Sequence, residues 1–486
     1  MLFNSPQFLI FFPIVTALYF ALPHRWRYLH LLVASCVFYM AFVPVYILIL
    51  AFIIVVDYVA GLMIERSEGS HRRAYLVASL VANIGTLAVF KYYNFFVEQV
   101  QAVIPSAHLP LLSLLLPIGL SFHTFQAMSY TIEVYRGRQR AERHFGIYAL
   151  YVMFYPQLVA GPIERPQNLL HQFREVHHFD LDEVVIGLRQ MMWGFFKKVA
   201  VADRLAVAVD IAFGQPRARS ALELVLGAIL FTVQLYADFS GYSDIALGSA
   251  RVMGFRLSKN FNRPYAAQNL ADFWRRWHIT LYSWFNDYLF TPLSLKWRDW
   301  DKPGIVLAIL VTFSVSGLWH GAAWTCIVWG ALHGIGVSFE LLTRRWRSKR
   351  LKLSGPLGNG LAVAITFAFV CFTFIFFRAR TLSDASHFVV NLPAGLGSLF
   401  ASVVDPSRLI IAFDGLSMPL GDVVFALIAV ILMFGIEYFH AKRLDMNVLL
   451  GRYPAPVRWV AYYALVSAIV FSSAQSSGRQ FIYFQF

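Results

Sequence analysis

Long apolar runs constrain this chain more than anything else in it. A helix needs about 20 predominantly apolar residues to cross the hydrocarbon core of a bilayer. Stretches of that kind fall near residues 3–22, 29–43, 45–64, 74–96, 111–133, 145–161, 220–239, 303–320, 323–343, 357–377, 418–439 and 456–473. Only 14% of the 486 residues are charged, against about a quarter in a soluble domain. The expectation is an all-α, polytopic membrane protein of about 11–12 transmembrane helices. It would form a single membrane-embedded domain over residues 1–486.

Charge is distributed to match. A net charge of +14 would suggest a nucleic-acid partner in a soluble protein. Here the basic residues sit between apolar runs: Arg25/Arg27, Arg66/Arg72/Arg73, Arg136/Arg138/Arg140/Arg143, Arg344 to Lys352, and Lys442/Arg443. In that position they set topology and meet anionic headgroups, so no nucleic acid is implied. The connections near 44 and 97–110 hold no Lys or Arg. This alternation puts the N-terminus outside and the clusters inside. The first run has no preceding basic residue and no small-residue cleavage pattern, so it reads as a retained helix. Cys36, Cys326 and Cys371 lie in apolar segments with no CxxC pair, and read as packing residues.

Residues 162–215 and 240–300 mix charge with apolar positions at helical period. They read as re-entrant or interfacial helices, tolerable at membrane depth only inside protein or beside a wet cavity. Polar insertions of this sort also suit a transporter, although they do not recur in two halves. Segment 384–416 reads as the longest outer loop.

Most of the chemistry lies between Asn260 and His333. Phe273, Trp274, Trp277, Leu281 and Phe285 recur at spacings of three and four, with Arg275, Arg276, Thr280 and Asp287 toward the other side. That pattern predicts one amphipathic helix. His320 and His333 lie inside apolar segments, where an ionisable side chain is costly and functional by default. His320, between Trp319 and Gly321, has an unperturbed pKa of about 6.5 and can take a proton from a hydroxyl. The plain alternative is an imidazole hydrogen-bonded in a packed interior. His278 could bind an acyl carbonyl or a phosphate-bearing donor, with Arg275 and Arg276 as anion contacts and Trp277 beside it. Otherwise it belongs to an interfacial helix anchored by its Arg and Trp residues. His333 stands thirteen residues after His320, a spacing that is not a metal pair, and reads as structural or supporting. His123 is read the same way, while His177 and His178 read as solvated.

Ser316, four residues before His320, allows a Ser–His nucleophilic pair, against a hydroxyl bonded back into its own turn. Asp238 and Asp244 need partners at membrane depth, and Arg251 or Arg256 would serve. Lys197, Lys198, Asp203 and Arg204 suit a phosphate-rich donor or lipid headgroups equally. Glu133, Arg136, Glu164 and Arg165 read as ion-pair candidates. No GxGxxG, Walker, HExxH or GxSxG motif occurs, so nucleotide hydrolysis, zinc proteolysis and a hydrolase elbow have no support.

Taken in order, YADFSGYSDIA (236–246), NFNRPY (260–265), FWRRWH (273–278) and WHG (319–321) resemble the membrane-bound O-acyltransferase family. LPIGLSFHTFQAMSYTIEVYRG (116–137), FYPQLVAGPIERP (154–166) and the terminal FIYFQF (481–486) resemble its bacterial alginate O-acetyltransferase branch, which is related to the D-alanyl transfer protein of teichoic acid synthesis. The resemblance covers essentially the whole chain. It implies helices around a central tunnel in a bacterial inner membrane, and metal-free acyl transfer to a hydroxyl. No bound cofactor is implied, acetyl-CoA being a substrate. The family's invariant histidine maps to His320 and its second site position to His278. His333, Trp319, Trp277, Arg275, Arg276, Asp238 and Ser316 follow as supporting or substrate-binding candidates. Asn286 stands where many relatives have Arg. Expected partners are acetyl-CoA, an extracytoplasmic polysaccharide, periplasmic or membrane-anchored acetyltransferase proteins, and lipid. D-alanyl or other acyl transfer from a carrier-protein thioester, and transport of an acylated intermediate, remain alternatives.

Overall fold

The computed structural model describes residues 1–350, 355–441, 453–475 and 481–482. Residues 351–352 of the Arg344–Lys352 run, Lys442, Arg443 and residues 483–486 of FIYFQF lie outside the described residues. Among those described, every regular element is a helix. Eight helices are long and apolar enough to cross a membrane: Pro44–Arg66, Gly69–Val103, Ala221–Val252, Arg298–His320, Trp324–Arg347, Gly355–Arg378, Leu420–Phe439 and Ala455–Ser473. Each coincides with one of the apolar runs. Pro6–Ala21 is shorter but equally apolar in character.

These helices are apolar on both sides and differ in which side is covered. On Leu420–Ala441, Val424, Leu427, Ile428 and Ile431 are exposed, whereas Ala426, Ala429 and Met433 are buried. Alanines packed against protein and branched residues outward are the arrangement expected where lipid, not water, is the solvent.

Two runs and one expected loop fold otherwise than the sequence suggests. In 111–133 the helix begins only at Leu120, because Pro105, Pro110 and Pro117 hold the preceding chain out of helix. Gly119 then turns the chain at φ +77°, where a Cβ would also meet the Leu158 carbonyl oxygen at 2.9 Å. In 145–161 the helix stops at Met153, ahead of Pro156, and residues 154–161 form buried turns. Irregular backbone at this depth is possible because protein encloses it. Segment 384–416 is not a loop but two helices, Leu382–Ala401 and Ser407–Gly415.

The chain forms two compact units, one of residues 1–191 with 242–259 and one of 192–241 with 260–486. In the first, Asp57 is fully buried and accepts from Ser79 Oγ at 2.6 Å and Asn83 Nδ2 at 2.8 Å. Ser79 Oγ is also 2.9 Å from Thr131 Oγ1, so three helices share one polar knot. Helix Leu181–Phe195 meets residues 242–252 through Gly187 and Gly248; a Cβ on either would sit 2.8 Å or less from the other's carbonyl oxygen. Arg251 pairs with Glu183, and Asp244 accepts from Gln190 Nε2 at 3.1 Å. Asp244 thus meets an amide of the facing helix, while Arg251, one of its expected partners, is engaged by Glu183. Glu133 pairs with Arg136 at 3.5 Å, Glu164 accepts from Ser258 Oγ at 3.0 Å, and Arg165 donates to Ser129 Oγ at 3.0 Å. His177, expected in solvent, is half-buried on the Phe255 ring.

The second unit holds the motifs of 260–333. Its core is aromatic, centred on Phe231, Phe273, Trp277, Trp329 and Phe374.

Candidate active site

The predicted amphipathic helix is broken at its centre. Asn269 Oδ1 caps a short helix, Leu270–Trp274, by accepting from the Asp272 amide at 2.8 Å. The Glu340 carboxylate accepts from the Leu270 amide at 2.9 Å, at the positive end of that helix. A second helix, Ile279–Phe285, starts after His278, which takes the left-handed conformation at φ +42°. That conformation costs a non-glycine residue about 1–2 kcal/mol, so surrounding contacts must enforce it. They do so through a two-point clip: Asn262 N donates to Arg276 O and Ile279 N to Asn260 O, each at 2.9 Å. The NFNRPY and FWRRWH motifs are thus one structural feature. The break also buries Thr280, which one continuous helix would have put on the polar side.

His320 ends the Asp301–His320 helix, and Gly321 leaves it in extended backbone. The next helix lies against it backbone to backbone: a Cβ on Gly317 would meet Cys326 O at 2.3 Å, and one on Gly330 would meet Phe313 O at 2.2 Å. That contact seats His320 on Trp329, ring centroids 4.8 Å apart, edge to face. His320 Nδ1 lies 2.7 Å from the Ser316 carbonyl oxygen. A carbonyl only accepts, so Nδ1 carries a proton, and in a neutral ring Nε2 is then the nitrogen with the lone pair. Ser316 thus meets His320 through its backbone carbonyl, which is not the nucleophilic hydroxyl–imidazole pair that the spacing allowed.

One indole touches both imidazoles. Trp319 lies 4.9 Å from His320 and 6.5 Å from His278 between ring centroids. Phe239 packs edge-on against His278 at 4.7 Å. Both histidines are almost wholly buried. Burial, with His320 nearby as the lesser cause, holds His278 well below its ordinary pKa, so it is neutral. His333 extends the cluster: its ring lies 5.3 Å from Trp329 and 5.0 Å from Trp274. Its Nε2 is 3.0 Å from Thr373 Oγ1, whose own hydrogen is donated to Val370 O at 2.9 Å. Nε2 of His333 must then be the donor.

The remaining candidates lie around this cluster. Trp277 packs on Tyr236, Phe261 and Phe374 in the core. Arg275 and Arg276 reach Asp272, at 3.7 and 3.0 Å. Asp238 is buried and bridged by Lys198 Nζ at 2.5 Å, which also reaches Asp203 at 2.8 Å; this lysine, not Arg251 or Arg256, is its cation. Asp238 Oδ2 further accepts from the Ile482 amide at 2.8 Å, and Phe481 packs on Phe239 behind His278. Arg204 pairs with Asp422 at 3.3 Å, and Lys197 Nζ stands 6.0 Å over the Tyr236 ring. Ser316 borders a mainly apolar cavity of about 140 Å³, together with Trp274, Leu281, Phe285 and Phe313. Asn286 is in its wall.

Sequence reasoning did not single out Trp329, Phe239, Thr373 or Asn260. For Trp329, its aromatic character between two intramembrane histidines was a usable signal. For Phe239 and Thr373 there was none, since their contacts join segments about 40 residues apart.

In its chemistry the cluster brings together two buried imidazoles, one of them with its Nδ1 proton committed to a carbonyl, and indole N–H groups. The profile of the membrane-bound O-acyltransferase family matches residues 144–378. The chain is 38% identical to a probable alginate O-acetylase AlgI of Pseudomonas aeruginosa, over 79% of this chain and 73% of that protein. It is 36% identical to its counterpart in Azotobacter vinelandii, over 91% and 87%. It is 34% identical to a peptidoglycan O-acetyltransferase of Helicobacter pylori, over 79% and 78%.

Proposed function

From the premise that this chain belongs to the membrane-bound O-acyltransferase family, we propose that it moves an acetyl group from cytoplasmic acetyl-CoA to a hydroxyl outside the inner membrane. The acceptor is a polysaccharide, or a periplasmic relay partner that passes the acetyl group on. Relatives named for alginate and for peptidoglycan acetylation support a glycan as the final acceptor. The N-terminus faces the periplasm and the basic clusters the cytoplasm, where they draw in the anionic donor.

In this mechanism the acceptor oxygen attacks the thioester carbonyl carbon while His320 Nε2 takes its proton. The carbonyl π pair moves to oxygen, and His278 orients the thioester and steadies that charge. Collapse re-forms the carbonyl and expels the thiolate, which receives the proton from His320. The ester and free thiol leave, and both histidines return to their starting state. Enclosure of the cluster keeps water from competing with the acceptor.

The hydrogen bond from His320 Nδ1 to the Ser316 carbonyl carries this reading, because it leaves Nε2 as the basic nitrogen. His320→Ala is expected to cut ester-linked acetyl on the envelope polysaccharide by about 10²–10⁴-fold at unchanged protein level. Retained acetylation would remove His320 as the base. Failure of purified wild-type protein to turn over acetyl-CoA would instead point to a carrier-protein thioester as donor.

A further inference from the structure

Across the backbone clip from His278 lies a buried side chain whose hydrogen-bonding capacity is left over once the fold is built. Asn260 is 1% exposed. Its backbone carbonyl takes the Ile279 amide at 2.9 Å, which places it across the clip from His278. Its side-chain Oδ1 accepts from Thr280 Oγ1 at 2.6 Å. With Oδ1 committed, the carboxamide cannot turn freely, and Nδ2 is directed away from Thr280. Nδ2 is buried and has no hydrogen-bond partner among the described residues. Backbone atoms alone make the clip, so the amide nitrogen contributes nothing to it. A desolvated N–H pair with no acceptor among the described residues is the kind of group that stabilisation of a developing oxyanion needs.

We infer that Asn260 is a third catalytic side chain, whose Nδ2–H donates to the thioester carbonyl oxygen as that oxygen gains negative charge. Thr280 is the positioning residue that aims it. The inference rests on the acyl-transfer reading above and adds to it a donor that is not an imidazole. The bond changes are those already written: Asn260 keeps its protons throughout and supplies only a hydrogen bond. His278 then serves mainly to orient the donor, and the oxyanion is shared between the two sides of the clip.

The test uses full-length variants in membranes of the native host, given radiolabelled acetyl-CoA, with alkali-labile label counted in polymer. Asn260→Ala is expected to lower kcat by about 10²–10³-fold with KM for acetyl-CoA unchanged and protein level maintained. Thr280→Val, which leaves Asn260 intact but unaimed, lowers kcat less, and Thr280→Ser restores it because the hydroxyl returns. A wild-type kcat in Asn260→Ala overturns the proposal, as does a loss confined to yield and melting temperature. His320→Ala run alongside separates the two readings. Transfer that survives in His320→Ala sinks the acyl-transfer mechanism itself. Transfer lost there but kept in Asn260→Ala sinks only the role of Asn260.

Discussion

His278 holds two properties in one residue, a neutral buried ring and a left-handed backbone. They can be separated by substitution. Asparagine tolerates left-handed backbone better than histidine does, and its amide still donates a hydrogen bond. His278→Asn is therefore expected to keep the wild-type melting temperature in detergent while losing part of the transfer rate. His278→Ala keeps neither the donor nor the ring contacts to Phe239 and Trp319, and should lose about 10²–10³-fold in kcat. Equal rates for the alanine and asparagine variants would assign His278 to packing alone. At this scale the sequence marked out residues that the fold brings together, as the two histidines in apolar or aromatic surroundings show. It did not indicate that His320 would spend Nδ1 on the Ser316 carbonyl, because a hydrogen bond to the same turn depends on the rotamer that packing selects.

Among the elements, the helix pair Asp301–His320 and Trp324–Arg350 sets the position of the proposed base. Gly317 is where the two backbones touch, and a side chain there must push them apart. Gly317→Val is expected to cost about 1–3 kcal/mol of stability and to lower transfer with it, by moving His320 off Trp329. Gly85, in helix Gly69–Leu87, has open space where a Cβ would go. Gly85→Ala is the control and should be neutral or stabilising by up to about 1 kcal/mol. Thermal melting in detergent measures both; a benign Gly317→Val would show that the helix contact can relax. Each of the twelve apolar runs holds a helix, and eight of these helices are long and apolar enough to cross a membrane. Helix interruption was less legible: the prolines at 105, 110, 117 and 156 were visible, but apolar composition masked their effect. The break at His278 had no local signal, since it is imposed by a segment more than fifteen residues earlier.

For the whole molecule, charge distribution predicts orientation in the bilayer. The hairpin of Pro44–Arg66 and Gly69–Val103 turns at Ser67–Glu68, next to the basic end, and residues 104–110 carry no Lys or Arg. In a variant lacking the native cysteines, Ser106→Cys should react with a membrane-impermeant maleimide on spheroplasts, and Ser67→Cys only after permeabilisation. The opposite pattern would invert the orientation and put the donor on the wrong side for acetyl-CoA.

What the sequence determined alone is whatever depends on local period and composition: a helical, multi-pass membrane chain, its charge alternation, and an ordered set of motifs specific to one acyltransferase family. Burial free energy in lipid acts on each run separately, so those features need no knowledge of neighbours. Tertiary structure decided the partnerships. Lys198 rather than an arginine meets Asp238, Trp319 touches both His278 and His320, and Thr280 donates to the amide oxygen of Asn260. Each depends on which faces pack together across the fold, and at close packing a shift of about an ångström changes which atom a polar group finds.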